Sequence, residues 1–368
     1  MRKEKLEQMS ILFKEKEKVF AEKELRILWQ ESFHDSAAYE EFYFHTVYPK
    51  NKIYRVENKG MLHLNAYPCM VDGKEMLLHY IVGVATKKEE QRKGIMRRLL
   101  TKALVDMYEA GEPFTYLMPA DERYYRPFSF VSICKRKERK LALKEENVFM
   151  VSAKEVWQSF SDTELNLLCQ KIEEYLQENY AVYAKHDRLY FELLRKEKQC
   201  EQGDLIFYFE DTIKAEKIKG FLAYGISEEQ IFVEQYVWFG KKDTKHLICS
   251  TQMSEEKKQF DKPVNMVEFP YMVRIVNVDQ LISLCQTRFL PLAKKNIRLW
   301  ITDEILWKNN AIYKFFVENQ KVVVEKQNIT KVPEENMWDL HMTVEELAKE
   351  LFVGEWSTDK GIFFAEVV

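Results

Sequence analysis

The sequence predicts an α/β (α+β) protein. Three observations carry that prediction. Residues 77–85 form an almost continuous apolar strand, apolar residues then fall at Ile95, Met96, Leu99, Leu100, Ala103, Leu104, Met107 and Tyr108 with helical spacing, and both patterns recur to the end of the chain. At 368 residues the chain exceeds one ordinary core and calls for two or three domains of about 100–150 residues each.

Residues 1–22 are Lys/Glu-rich, with Leu6, Met9, Leu12 and Phe13 on one side, and read as a solvated amphipathic helical extension. A first domain is expected over 23–143. Leu25, Leu28, Trp29 and Phe33 make a helical face, and Asp35-Ser36 suits the cap of a next helix carrying Tyr39, Phe42 and Phe44. Strands follow at 52–57 and 61–70, and Asp72-Gly73 is a hairpin turn into the 77–85 strand. Gly94 opens the helix that begins at Ile95, and Gly111 stops it. The second domain, 144–265, starts with a helical stretch from Trp157 to Leu176 and continues with strands at Leu205–Phe209, Ile218–Tyr224 and Ile231–Phe239. The third, 266–368, opens with a strand and helix over Pro270–Asp279. Runs at Ile297–Ile301, Ile312–Val317 and Val322–Val324 then suggest an antiparallel sheet, and Thr343-Val-Glu-Glu346 is a capping box for a helix that reaches Phe352 and stops at Gly354.

Composition narrows the function classes. With 56 basic and 59 acidic residues the net charge is −3, which argues against a general nucleic-acid binder. The charged N-terminus has no signal-peptide core and no run of 18 apolar residues occurs, so a cytoplasmic protein without membrane partners is expected. Six scattered cysteines without a C-x-x-C pair read as small buried hydrophobes, and seven scattered histidines give no metal-ligand spacing, so no metal is expected.

The candidate site is the turn between strand and helix. Gly83 is the weak point of the strand and marks a bulge or a close backbone approach. Backbone N–H groups of residues 92–97 would point out of a helix N-terminus, with Arg92, Lys93, Arg97 and Arg98 around them, an arrangement that suits a pyrophosphate.

The order of strand, Gln91-x-x-Gly94-x-Met96, helix, Gly111-Glu-Pro-Phe-Thr-Tyr-Leu-Met-Pro119 and Tyr124-Tyr-Arg-Pro-Phe-Ser-Phe130 resembles the GNAT N-acetyltransferases. Within them it is similar to the branch of the mycobacterial enhanced intracellular survival (Eis) acetyltransferase. Met96 stands where the GNAT signature has a small residue, and Pro127 and Ser129 replace the usual Arg and Gly of the aromatic segment. The resemblance covers roughly residues 23–368. It implies tandem GNAT-like domains with mixed central sheets, the second degenerate because Gly240-Lys-Lys-Asp-Thr-Lys-His246 lacks the phosphate turn, and a C-terminal sterol-carrier-protein-like α+β domain.

The resemblance implies acetyl-CoA as co-substrate, held by Val82, Gly83 and Val84 of the strand and by Gln91, Arg92, Lys93, Gly94, Ile95, Met96 and Arg97 of the turn. A bulge at Gly83 would release the N–H of Val84 or a neighbour toward the thioester carbonyl. Tyr125 matches the residue that protonates the departing thiolate; with a phenol pKa near 10 against roughly 8.5 for a thiol, it would act chiefly as a hydrogen-bond donor. The stretch Gly361–Val368 stays apolar and reads as docked, and the resemblance implies that the Val368 carboxylate serves as general base, through water or with a raised pKa. The partner is then a small-molecule primary amine, an aminoglycoside-, polyamine- or lysine-like cation, and a homo-oligomer is compatible with the sequence. The rival expectation is a non-catalytic protein whose C-terminal domain holds an apolar ligand beside a vestigial acyl-CoA turn.

Overall fold

The computed structural model describes residues 22–134, 137–141, 148–227, 230–239, 264–329 and 331–364. Helix α1 spans 22–33 and α2 Ala37–Phe42, the latter capped by Ser36, whose Oγ accepts the Tyr39 N–H at 3.1 Å. Strand β1 is Lys52–Val56, and β2 (Gly60–Val71) and β3 (Lys74–Thr86) form a long hairpin. Its turn residues Asp72 and Gly73 have φ of +47° and +79°, as a two-residue turn matched to the strand twist requires. Helix α3 (Ile95–Glu109) buries Leu99, Leu100, Ala103, Leu104 and Met107, the stripe expected from the spacing.

Strands β4 (Phe114–Leu117) and β5 (Val131–Cys134) complete the local part of the first sheet. The next strand, β6 (Lys137–Leu141), belongs to a second sheet together with β7 (Val148–Ser152), β9 (Asp204–Glu210), β10 (Ile218–Ser227), β11 (Gln230–Trp238) and β12 (Val264–Glu268), in the order β6-β12-β11-β10-β9-β7. Three helices pack on it: α4 (Ala153–Ser159), α5 (Asp162–Asn179) and α6 (Arg188–Cys200). The last sheet has the order β16-β15-β14-β17. It contains β14 (Arg298–Thr302), β15 (Ala311–Glu318), β16 (Lys321–Asn328) and β17 (Leu340–Thr343), flanked by α7 (Val278–Leu284), α8 (Leu290–Lys294) and α9 (Val344–Phe352). This sheet is not purely antiparallel, since β17 runs parallel to β14.

The expected divisions at 143 and 265 are crossed by strands. The first sheet has the order β18-β8-β2-β3-β4-β13-β5, with β1 also on β2; β8 is Tyr180–Ala184, β13 Tyr271–Ile275 and β18 Gly361–Phe363. Strand β13 thus fills the place between β4 and β5. All five of its residues, Arg274 included, are buried, so its sequence shows no alternation of apolar and polar faces. One apolar core consequently joins Phe114 and Val273 to Leu299, Phe315 and Leu347. Buried Arg274 on β13 binds both oxygens of Asp303, at 2.8 and 2.9 Å, across that junction. Removing one partner of such a pair strands a charge and costs about 3–5 kcal/mol. Cys69, Cys169 and Cys285 are buried as expected, whereas Cys134, at the end of β5, is exposed.

Candidate active site

The hairpin β2–β3 is interrupted at one point. Met61 faces Ala85 and His63 faces Val82, so Gly83 and Val84 together oppose Leu62. That is a bulge, and Gly83 has the left-handed φ of +59°. Glycine is required there twice over. A Cβ would stand 2.6 Å from the Trp29 ring and 3.3 Å from His63 Nδ1, so the glycine makes room for α1 and not for the helix that follows the strand.

Beneath the bulge lies a buried polar cluster. The Tyr43 hydroxyl is 2.8 Å from His63 Nδ1, Asn51 donates to Tyr43 Oη at 3.2 Å, and Asn51 also bonds Asn65. Burial holds His63 neutral, with its pKa lowered to about 3.

Beyond the bulge, β3 ends at Thr86 and the chain enters the turn before α3. Gln91, Arg92, Lys93, Gly94 and Arg97 are exposed. Arg92 and Gly94 both have left-handed backbones, φ +62° and +76°, an alternation that turns successive N–H groups toward one side. Gly94 is the N-cap of α3 and supplies no side-chain acceptor; the first cap bond runs from Arg98 N–H to the Gly94 carbonyl at 3.1 Å. The N–H groups of Ile95, Met96 and Arg97 therefore have no acceptor one helical turn back. Among the described residues, and apart from its chain neighbours, no atom lies within 4 Å of a Cβ placed on Gly94, so the space beside this N-terminus is open. Ile95 contributes only its backbone, because its side chain is buried against Gly60, and half-buried Met96 packs on the core. Lys93 pairs with Glu90 at 3.2 Å, and the Arg97 guanidinium lies 5.3 Å above the Phe128 ring, which ties the turn to the aromatic segment.

Strands β3 and β4 are parallel and register at one pair, Tyr80 and Tyr116. Past it β3 runs on to Thr86 while β4 ends at Leu117. A cavity of about 740 Å³ opens there, with Tyr80 to Val84 on one wall and Met118, Pro119 and Ala120 on another. Tyr125 lines the same cavity, brought in by the short helical turns at 122–124 and 126–128, and burial pushes its pKa up to about 12. Its neighbour Tyr124 is 57% exposed.

The structure thus brings Val82, Gly83, Val84 and Tyr125 to one cavity and sets Gln91 to Arg97 at the end of the same strand. Val368 and residues 240–246 lie outside the described residues. The nearest described part of the C-terminal segment is Phe364, stacked 4.1 Å from Tyr116, at the point where β3 and β4 part. The sequence reading missed Trp29, Asp35, Tyr39 and Glu201 in the cavity wall. Asp35 had a signal, as a candidate cap, but the cap is Ser36; Asp35 instead accepts the Trp29 indole N–H at 2.8 Å, and burial raises its pKa.

Residues 20–132 match the acetyltransferase (GNAT) domain family. No curated protein matches the chain. Among solved structures, the chain is similar to an Enterococcus faecalis protein described as a "probable N-acyltransferase", at 14% identity over 91% of this chain and 88% of that one, with a TM-score of 0.61. It is similar to GCN5-related N-acetyltransferases from Anabaena variabilis (14% identity, 90% and 87% covered, TM-score 0.57) and Kribbella flavida (14%, 88% and 85%, 0.55). The chain carries a GNAT acetyltransferase domain over residues 20–132, the domain of an acetyltransferase enzyme. Among the described residues no helix is long and apolar enough to cross a membrane.

Proposed function

We propose that this protein transfers an acetyl group from acetyl-CoA to a primary amine of a small cationic acceptor. The observation that carries the reading is the bulge at Gly83, which opens onto the same cavity as Tyr125, at the end of a strand that leads to the uncapped N-terminus of α3. In this reading the amides of residues 95–97 and the rim of Arg92, Lys93 and Arg97 hold the pyrophosphate. The backbone freed at Val84 donates to the thioester oxygen, where charge develops as the amine attacks.

Tyr125 stabilises the departing thiolate by donating a hydrogen bond. With its pKa at about 12 against roughly 8.5 for a thiol, complete proton transfer is uphill by several units, so its contribution is electrostatic. Supporting a cationic acceptor are Asp35 and Glu201 in the cavity wall. We assign the finer kinship to the Eis-like branch, with a degenerate second GNAT-like domain and a sterol-carrier-like third, on the order of elements alone.

The test is calorimetric titration of acetyl-CoA followed by CoA release with an amine panel. Binding without release for any amine would leave a binding protein; no binding at all would remove the site.

A further inference from the structure

The wall opposite in sequence to the CoA turn is built by the end of α6. Glu201 follows that helix, and its carbonyl accepts the Ile226 N–H of β10 at 2.9 Å. The turn continues through Gln202, with φ +58°, and Gly203, where a Cβ would meet the Tyr224 carbonyl oxygen at 1.8 Å. On β10 itself, a Cβ on Gly225 would stand 2.9 Å from Glu201 Oε2. The backbone of Glu201 is pinned, and a glycine leaves the room its carboxylate fills.

Among the described residues the charge around it does not balance. Buried Lys198 Nζ lies 3.0 Å from Glu197 and 2.9 Å from Glu201, and also bonds Glu234. Oxygens of these three carboxylates lie within 4.8 Å of one another, a spacing a divalent cation would accept, but the ammonium of Lys198 already contacts all three. Three carboxylates share one ammonium, and unpaired charge is costly in a desolvated place. Burial and the neighbouring Glu234 push the Glu201 pKa up to about 7, while Lys198 works against them. The Glu234 side chain is 5% exposed and that of Glu201 24%, and Glu201 is the member that lines the candidate active cavity.

A second observation is independent of that charge count. Tyr39 on α2 lines the same cavity and is 8% exposed, and its buried hydroxyl has no hydrogen-bond partner among the described residues. Burial first, then the charges of Glu197, Asp35 and Glu201, raise its pKa, so the hydroxyl lies in the field of these carboxylates. A neutral hydroxyl oxygen next to a carboxylate fits a ligand with several N–H donors and a positive charge.

We propose that Glu201 receives the acceptor: its carboxylate binds the ammonium of a primary alkylamine in the cavity and takes its proton, while Tyr39 Oη accepts a second N–H. This deepens the acetyl-transfer reading and rests on it. One proton passes from the ammonium to Glu201. The freed lone pair forms the C–N bond to the acetyl carbon, the C–S bond breaks with its electrons on sulfur, and the second nitrogen proton leaves with the thiol. The products are the amide, CoA thiol and a protonated Glu201, which loses its proton to solvent. Among the described residues, the groups that face Glu201 are Lys198, Glu197 and Cys200 from α6, Glu234 from β11 and Tyr39 from α2, with Asp35 on the same wall.

The experiment compares the full-length protein with Glu201→Gln, using n-butylamine and 1,4-diaminobutane as acceptors, thiol release as the rate and calorimetry for acetyl-CoA. We expect kcat/KM for the amine to fall by ~100-fold or more, as for loss of a general base. Acetyl-CoA affinity should stay within about twofold, and the rise of kcat/KM with pH around 7 should vanish in the variant. Glu201→Asp, which keeps the charge but withdraws it by one methylene, should fall between the two and serves if the glutamine variant does not fold. Unchanged kcat/KM and pH profile in Glu201→Gln, or equal losses in amine turnover and acetyl-CoA affinity, would overturn the assignment. A wild-type protein that binds acetyl-CoA yet releases no thiol with either amine would instead sink the acetyl-transfer reading, and the role of Glu201 with it.

Discussion

The first and second sheets are both mixed, both carry a bulged strand and both are covered by helices, yet they differ at one helix N-terminus: α2 of the first region is capped by Ser36 as the helices of the second are capped, and α3 is not. In the second region, α4 and α5 have full capping boxes at Ser152–Glu155 and Ser161–Glu164, and α6 is capped by Asp187, whose Oδ1 accepts the Tyr190 N–H at 2.9 Å. In the first, α3 begins at Gly94 without a side-chain cap. A side-chain cap satisfies an N-terminal N–H from within the chain, worth about 1 kcal/mol, and removes it from use by a ligand. The difference therefore separates a helix start that is finished by its own side chains from one whose first amides receive no side-chain cap.

The strongest test of that contrast is Gly94→Val. Among the described residues, nothing but its chain neighbours lies within 4 Å of the new Cβ, so packing does not oppose it; the left-handed backbone does, by roughly 1–2 kcal/mol. With the amides no longer held toward the ligand and a branched side chain over them, acetyl-CoA affinity should fall by about 1,000-fold, or ~4 kcal/mol. The same titration on the native chain should give one acetyl-CoA per chain. Two sites would break the comparison, since the second region would then bind without an open helix start.

Tyr125→Phe comes next. It deletes one donor to a developing thiolate, and hydrogen bonds to charged groups contribute about 1.5–3 kcal/mol, so kcat should drop by roughly 10- to 150-fold. Acetyl-CoA affinity, set at the turn, should hold. A matching loss of affinity would move Tyr125 from the chemistry to the fold.

How much of this contrast was legible in the sequence depends on range. The strand, the Gly94 start, the Gly111 stop and the Thr343 capping box are local patterns, and the structure forms them where the spacing put them. The bulge was half legible: glycine marked it, but its reason, the Trp29 ring at 2.6 Å, comes from a helix some fifty residues earlier. The insertion of β13 between β4 and β5 was not legible, because a fully buried strand carries no mark of its neighbours. The same holds for Asp35, Tyr39 and Glu201, three residues of ordinary type made notable by one cavity.

A third test asks whether the two regions unfold together. Each buries a neutral histidine, His63 in the first and His186 in the second, and burial lowers both pKa values to about 3. A histidine whose folded pKa lies below its unfolded value near 6.5 contributes stability that is full above pH 6.5 and is lost as pH falls toward 3. Each should remove about 1.4 kcal/mol per pH unit in that window, or ~2 kcal/mol between pH 6.5 and 5. Because β8 leaves the second region to pair with β2, urea unfolding at pH 5 should stay a single transition. Two transitions, one sensitive to His63→Gln and the other to His186→Gln, would show that the regions are separable despite the shared strand.

The smallest effect distinguishes charge from backbone shape at the open helix start. Arg92 has φ +62°, a region that costs a residue with a Cβ roughly 1–2 kcal/mol, and its guanidinium is exposed at the rim of the turn. Arg92→Ala removes the charge and keeps the strain, whereas Arg92→Gly removes both. If the charge is what acetyl-CoA meets, the two variants should lose the same affinity, ~1 kcal/mol or about fivefold, less than the ~1.5–3 kcal/mol usual for a charged hydrogen bond because the site is solvated. The loss should shrink as salt is raised. Thermal melting should rank the Arg92→Gly variant at or above Arg92→Ala, since relief of the strained φ offsets the greater freedom of glycine in the unfolded chain. The second region offers the matched control: Asp211, with φ +58°, sits in the turn after β9, and Asp211→Gly should relieve strain there without altering acetyl-CoA affinity. Should Arg92→Gly bind acetyl-CoA distinctly better than Arg92→Ala, the left-handed backbone rather than the guanidinium would be what limits binding at α3.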